Sequence, residues 1–301
     1  MEATLPLLVY RGTICITIVL AVLLVTGAAV NITLTQAGRP GPNMTTSFAV
    51  SRDGVRIAYD VNGAGAALVL LHGGGQNRRV WHENGYVARL RDDFTLIAVD
   101  IRGHGESDRP SGAEAYAIER ISEDIIAVAD ATHWTRFAVW GYSFGGNIAR
   151  YLPGRSDRVA KVVIMGVGFG AAAPPPFKDY ALNLRRKWMP IIEAARTSAL
   201  NLGSLSAPDR TMWQTGSIPF TVDLLGALLD WPSVEPEDLR CPTLWLVGTA
   251  NENAMPNVNQ YRGRLQRTNV VLELVPGLTH ADELTKIDDV LPVMRKFTLS
   301  P

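Results

Sequence analysis

A chain of 301 residues is long for one ordinary domain but normal for a single α/β domain carrying an insertion. Its 29 basic and 29 acidic residues cancel, and no block of like charge interrupts them, so nothing in the composition draws this surface to nucleic acid. The two cysteines, Cys15 and Cys241, are too few and too far apart to make a disulfide framework or a metal site.

No charge occurs from Gly12 to Gly38. The most apolar part, Ile14 to Val30, together with Ile32 and Leu34, approaches the ~20 residues that span a bilayer. Residues 13–35 therefore read as a membrane segment. Arg11 before it and Arg39 after it give a weak bias toward an inside amino terminus, with the rest of the chain anchored outside the cytoplasm. A cleaved signal peptide competes, with small residues at Gly27-Ala28-Ala29 or Thr35-Gln36-Ala37 as the cleavage site and export as the outcome. A third reading starts a complete cytoplasmic protein at Met44. Asn31-Ile32-Thr33 and Asn43-Met44-Thr45 fit the glycosylation pattern. Arg39-Pro40-Gly41-Pro42-Asn43 reads as a linker, because two prolines and a glycine do not continue a helix. The expected division is an anchor or signal segment with linker over 1–43 and a folded domain over 44–301.

The domain opens with two β-rich runs, Phe48 to Ser51 and Val55 to Val61, flanking Arg52-Asp53-Gly54, which predicts a hairpin. Near-continuous apolar runs follow at Ala67–Leu71, Phe94–Val99, Phe137–Trp140, Val162–Met165, Leu244–Val247 and Val270–Leu274, the pattern of strands buried on both faces of a parallel sheet. Helical periods fall between them: Ile118, Ile121, Ile125 and Val128 mark one face, and Leu284, Ile287, Leu291, Met294 and Phe297 another. Alternating strand and helix predicts a doubly wound, mostly parallel α/β sheet, whose ligands lie outside the carboxyl ends of the strands. The alternation breaks over about 170–240. There Phe177, Tyr180, Leu184, Trp188 and Ile191, then Val222, Leu225, Leu228 and Leu229, predict a helical insertion packed over that edge. Its aromatics, Trp188, Trp213, Phe220 and Trp231, are read chiefly as core, with a subset lining an apolar substrate pocket.

Chemistry concentrates after the run Phe137–Trp140. Gly141-Tyr142-Ser143-Phe144-Gly145-Gly146 joins that strand to the helix-like Asn147–Leu152, a strand, sharp turn and helix with a serine at the apex. A serine hydroxyl needs a base to take its proton. Among five histidines, His280 lies just past the last strand, at the sheet edge where Ser143 stands. Charge developing on an attacked carbonyl needs donors. The amide of Phe144 supplies one, and an amide in the run after His72, most simply Gly74, supplies the other.

These motifs, in their order from about Phe48 to the carboxyl terminus, resemble the α/β-hydrolase family, in particular serine esterase, lactonase and perhydrolase members. His72-Gly73 with Trp81 downstream, Asp100 to Asp108, the Gly141–Gly146 turn, the helical cap, Pro242-Thr243 before an apolar strand ending in Gly248, and His280 carry the resemblance. It implies the α/β-hydrolase fold and a Ser143–His280 pair acting through an acyl-serine on a carboxylic ester, thioester or lactone. The motifs are unspecific for substrate, the apolar residues of the cap point to a small apolar one, and no metal or organic cofactor is implied. The serine argues against the members that use a carboxylate nucleophile, the haloalkane dehalogenases and epoxide hydrolases. One position departs from the family. Where it usually places an aspartate, three residues past Gly248, this chain has Asn251 followed by Glu252, and Gly166–Gly170, the other place for a family acid, has none. The expectation is that Glu252 reaches back to His280; otherwise Asn251 stands beside a weakened pair. The missing aspartate keeps open a non-catalytic ligand-binding protein on this fold, and a perhydrolase or lyase would use the same serine and histidine.

Overall fold

Leu68, Val69, Leu70 and Leu71 point alternately to the two sides of a sheet, and both sides are apolar. Leu68 and Leu70 pack with Trp81, Tyr86 and Met294, and Val69 and Leu71 with Ile121, Ile125 and Ile148. A strand buried on both faces has no polar side, which explains the unbroken apolar runs. The computed structural model describes residues 45–300, so the expected membrane segment at 13–35, the linker and Met44 lie outside the described residues. Among the described residues no helix is long and apolar enough to cross a membrane.

Eight strands form one sheet in the order β1-β2-β4-β3-β5-β6-β7-β8. They are β1 (Ser47–Val50), β2 (Arg56–Asn62), β3 (Ala66–Leu71), β4 (Phe94–Val99), β5 (Phe137–Tyr142), β6 (Val159–Met165), β7 (Thr243–Gly248) and β8 (Val270–Val275). The predicted hairpin joins β1 and β2, with Gly54 at φ 85 allowing the turn. From β4 to β8 every pairing is parallel, so the strands end at one edge, where the loops after His72, Asp100, Tyr142, Gly166, Gly248 and Val275 meet.

Helices cover both faces. On the first lies α3 (Ile118–Ala131), which buries Ile118, Ile121, Ile125 and Val128 as the period predicted. On the second lie α1 (Arg79–Glu83), α2 (Tyr86–Leu90) and α10 (Ile287–Leu299), with Trp81, Tyr86 and Trp140 in mutual ring contact. Burying each such Leu, Ile or aromatic side chain contributes roughly 1.5–3 kcal/mol.

The insertion is helical, comprising α5 (Pro175–Arg196), α6 (Ala207–Gln214) and α7 (Ile218–Asp230). Pro175 opens α5 at a position where its missing N–H costs nothing. Trp188 stacks on Trp213 and is buried with Ile192, Ile218 and Val222 in a small separate core. In contrast, α7 sinks Phe220, Leu224, Leu225 and Leu228 into the main core, which locks the insertion onto the sheet edge. The predicted aromatics thus divide: Trp188 belongs to the insertion's own core, whereas Trp231 stacks on Phe144, next to Ser143.

Candidate active site

Ser143 stands between β5 and α4 (Phe144–Ala149) at φ 53, ψ −115, left-handed backbone that a non-glycine residue adopts only when its surroundings force it. Three backbone hydrogen bonds apply that force: Ser143 N–H to Met165 O (2.8 Å), Gly145 N–H to His72 O (3.0 Å) and Asn147 N–H to Ser143 O (2.8 Å). The flanking glycines are required by space. A Cβ at Gly141 would stand 2.1 Å from Gly145 O, and one at Gly145 would stand 2.1 Å from Leu71 O. The strand and helix therefore pass at a distance that only glycine permits, and the serine is left at the sheet edge.

His280 is the first residue of α9 (His280–Thr285). Thr279 caps that helix through a reciprocal pair with Asp282, whose carboxylate accepts from Thr279 N–H (3.1 Å) and Thr279 Oγ1 (2.8 Å). These bonds hold the Asp282 carboxyl below the usual carboxylate range. The cap fixes where the helix begins, and the imidazole Nε2 lies 3.0 Å from Ser143 Oγ. Tyr142, the residue before the serine, stacks under the imidazole at 5.1 Å, and its hydroxyl donates to His280 O (2.9 Å). Tyr142 thus ties the turn carrying the serine to the helix carrying the histidine. Nothing in the sequence pattern singled it out.

The expected partner of the imidazole is corrected here. Glu252 is exposed and, among the described residues, makes no hydrogen bond or ion pair with His280. Asn251 explains why: its Oδ1 accepts from Asn253 N–H (3.2 Å) and Ala254 N–H (3.1 Å), a local turn that draws residue 251 inward and leaves 252 facing water. The carboxylate facing His280 Nδ1 belongs to Glu283, at 3.2 Å, one helical turn along α9 and fully buried. Glu283 Oε1 also accepts from Gly248 N–H (2.7 Å), and Asn251 Nδ2 donates to both carboxylate oxygens (2.9 and 3.0 Å). Asn251 therefore stands beside the imidazole as expected, its Nδ2 3.2 Å from His280 Nδ1, and also bonds Glu283. The signal that would have found Glu283 is its i+3 spacing from His280, which places both on one helix face.

The amides of Phe144 and Gly74 have no acceptor among the described residues, so both stay available to a ligand oxygen. The loop bearing Gly74 is pinned from beneath. Arg78, buried, pairs with Asp60 (3.1 Å), Asp100 and the more exposed Glu106 (2.6 Å). His72 Nδ1 donates to Gly73 O (2.8 Å) while Nε2 accepts from Ile101 N–H (3.1 Å), a pattern that requires the neutral ring. Burial pushes the His72 imidazole down to about 4, and the same cause, with His72 beside it, pushes His104 down to about 3.

Those two rings predict acid sensitivity. Each folded-state pKa lies below the unfolded value, so the unfolded chain binds more protons once pH falls below about 6.5, and stability is lost toward the folded pKa. Each ring contributes about 1.4 kcal/mol per pH unit in that window. Urea unfolding at pH 7 and pH 5 is expected to show the loss, and a His72→Gln variant to show a smaller one. Equal slopes in the two proteins would refute this origin.

A separate cavity of about 310 Å³ lies between the start of α3 and the end of α7, lined by residues including Ala113, Ile118, Asp230 and Trp231, and it contains none of the site residues above.

Comparison with known proteins places this geometry. An uncharacterized protein of Mycobacterium tuberculosis is 37% identical over 121 residues, which span 38% of this chain and 33% of that protein. The chain thus covers only about a third of that relative's length. Among solved structures, the esterase RhEst1 from Rhodococcus sp. ECU1013 is similar at 25% identity and a TM-score of 0.58, covering 85% of this chain and 99% of that one. Epoxide hydrolases found in metagenomes from hot environments are similar at 18% identity and a TM-score of 0.65, covering 86% of this chain and 100% of that one. The alpha/beta hydrolase fold family matches residues 66–263, which hold the sheet from β3 through β7, the turn at Ser143 and the helical insertion. The chain belongs to the alpha/beta hydrolase fold family.

Proposed function

We propose that the protein is a serine hydrolase that cleaves a carboxylic ester, thioester or lactone through an acyl intermediate on Ser143. One observation carries the reading: a serine in left-handed backbone at the sheet edge with the imidazole Nε2 of His280 3.0 Å from its hydroxyl. The Ser143 Oγ–H bond breaks as Oγ bonds the carbonyl carbon, the proton passes to Nε2, and the carbonyl electron pair moves onto oxygen. That oxygen is held by the amides of Phe144 and Gly74. The protonated His280 gives its proton to the leaving group as the bond from the acyl carbon to that group breaks; water, deprotonated by the same ring, then attacks the acyl carbon, and the acyl–Oγ bond breaks as the ring returns the proton to Ser143 Oγ.

Similarity to both esterases and epoxide hydrolases leaves the reaction class to the nucleophile. An alkoxide from serine suits acyl transfer, whereas the epoxide hydrolases of this family use a carboxylate. Phe144, half-buried and backed by the buried Trp231, gives the serine an apolar neighbour and supports an apolar substrate. The motive for a non-catalytic binding protein was a missing acid, and the buried Glu283 carboxylate at His280 weakens it. Attachment to a membrane through residues 13–35 is a separate part of the proposal and rests on sequence alone.

The test is labelling by a fluorophosphonate, followed by intact mass and peptide mapping, beside hydrolysis of p-nitrophenyl acetate, butyrate and octanoate. The expected result is one adduct on Ser143 and turnover of at least one ester. A protein that takes no label and turns over none of the three would overturn the serine reading.

A further inference from the structure

We propose that Glu283 is the carboxylate that orients His280, and that Asn251, at the place where a family acid was expected, is the amide that holds Glu283 in that task. The proposal rests on the Ser143–His280 reading above and adds which residues set the state of the base.

Glu283 is fully buried, and among the described residues no lysine or arginine pairs with it. A carboxylate out of water without a cation needs several donors. It has Gly248 N–H, the Asn251 amide and His280 Nδ1. Two segments distant in sequence, the end of β7 with the loop after it and the turn of α9, thus converge on this one side chain.

Two groups compete for His280 Nδ1 at the same 3.2 Å, and they ask opposite things of it. Glu283 Oε2 accepts and therefore favours a proton on Nδ1. Asn251 Nδ2 donates and would favour a bare Nδ1. The Asn251 amide cannot turn over, because its Oδ1 is engaged by the Asn253 and Ala254 amides. One of its hydrogens is shared by the two Glu283 oxygens at 2.9 and 3.0 Å, shorter and charge-assisted contacts, and the other has the Gly166 carbonyl at 3.3 Å to accept it, so neither is needed at Nδ1. Nδ1–H then points at Glu283, and the lone pair of Nε2 faces the hydroxyl of Ser143. Without the carboxylate the ring would prefer the tautomer that gives Ser143 a donor where it needs an acceptor. When the ring takes the serine proton, the Glu283 carboxylate at Nδ1 stabilises the imidazolium.

Other acids at this edge are excluded. Asp282, adjacent on the same helical turn, is committed to Thr279. A side chain at residue 166 has no room, since a Cβ on Gly166 would stand 2.5 Å from Glu283 Oε2 and 3.0 Å from His280 Nδ1. An aspartate at 251 beside Glu283 would set two carboxylates within hydrogen-bonding distance, where only one can be ionised. The amide at 251 and the glycine at 166 are thus what a carboxylate at 283 requires. Glu283 acts through His280 and is a positioning residue.

The experiment exchanges the two groups. Glu283→Gln, Asn251→Asp and the double variant Asn251→Asp/Glu283→Gln are assayed for kcat and KM on the best p-nitrophenyl ester, with circular dichroism to confirm folding. In parallel, ¹⁵N NMR of the imidazole nitrogens reads the His280 tautomer without any substrate. In Glu283→Gln the side-chain oxygen is claimed by Gly248 N–H and Asn251, so the new amide turns its NH₂ toward Nδ1. The tautomer is expected to flip, and kcat to fall by roughly 10²–10⁴ with KM within about threefold. The double variant returns an acid to the ring from the other side, and is expected to restore the Nδ1–H tautomer and at least about tenfold of the lost kcat.

A folded Glu283→Gln that keeps its tautomer and its kcat would overturn the proposal. So would a folded double variant that recovers neither, since that assigns Glu283 a structural part alone. A loss of kcat in Glu252→Gln with none in Glu283→Gln would hand the role to Glu252. Failure of the serine reading is seen separately, as absence of the fluorophosphonate adduct in the unaltered protein, and the NMR arm still decides the tautomer in that event.

Discussion

Ser143→Ala is expected to lower kcat on any ester the protein hydrolyses by at least about three powers of ten and to abolish fluorophosphonate labelling. The size follows from the serine's part in the proposed chemistry: without Oγ no acyl intermediate forms, and only the oxyanion amides and bound water remain. The fold should be indifferent, because alanine keeps the Cβ and meets the same left-handed backbone at φ 53. Ser143→Gly separates strain from chemistry. It is expected to be equally inactive but more stable than the parent by about 1–3 kcal/mol, the strain that a glycine does not suffer. Turnover of Ser143→Ala within tenfold of the parent would refute the nucleophile assignment. A melting temperature for Ser143→Gly below the parent's would refute the strain.

The largest effect on stability is expected from Arg78→Met. The side chains of Arg78, Asp60 and Asp100 are 1%, 2% and 0% exposed, so removing the guanidinium leaves two carboxylates in the interior without their cation. Loss of one partner from a buried pair costs about 3–5 kcal/mol, well above what a surface ion pair contributes. Urea unfolding at pH 7 measures it, and a loss below about 1 kcal/mol would show that the two carboxylates find other donors. Arg78 also anchors the loop that carries Gly74, so residual folded protein should turn over ester more slowly even with Ser143 and His280 intact.

The strands from β3 to β7 were legible because they are buried on both faces and show as apolar runs with no polar side to confuse the period; the run at Val270–Leu274 made a strand too, but as the edge strand β8 it exposes Val271 and Glu273 instead of being buried on both faces. The turn at Ser143 was legible because its geometry demands glycine at 141 and 145, and that demand is met in the residue types themselves. His280 could be chosen from five histidines by its place after the last strand. Glu283 was not legible in the same way. Two acids, Asp282 and Glu283, sit side by side in the first turn of a helix, where acids occur for capping and dipole reasons alone. Only the packing of α9 decides that Asp282 closes the cap and Glu283 turns inward. Asn251 misled for a related reason: its position was right for a family acid, and the importance of the neighbouring Glu252 was inferred from proximity in sequence, which the turn at residues 251–254 undoes.

His280 and Glu283 share one turn of α9, and that has a mechanical consequence. In the proposed arrangement the base and its carboxylate are carried on one helical turn, their spacing set by helical pitch. That turn does not move alone, because Gly248 N–H and Asn251 hold the same carboxylate from β7 and the loop after it. Imidazole and carboxylate are thus spaced by α9 and anchored by β7, so a shift of that helix relative to the sheet disturbs both contacts at once.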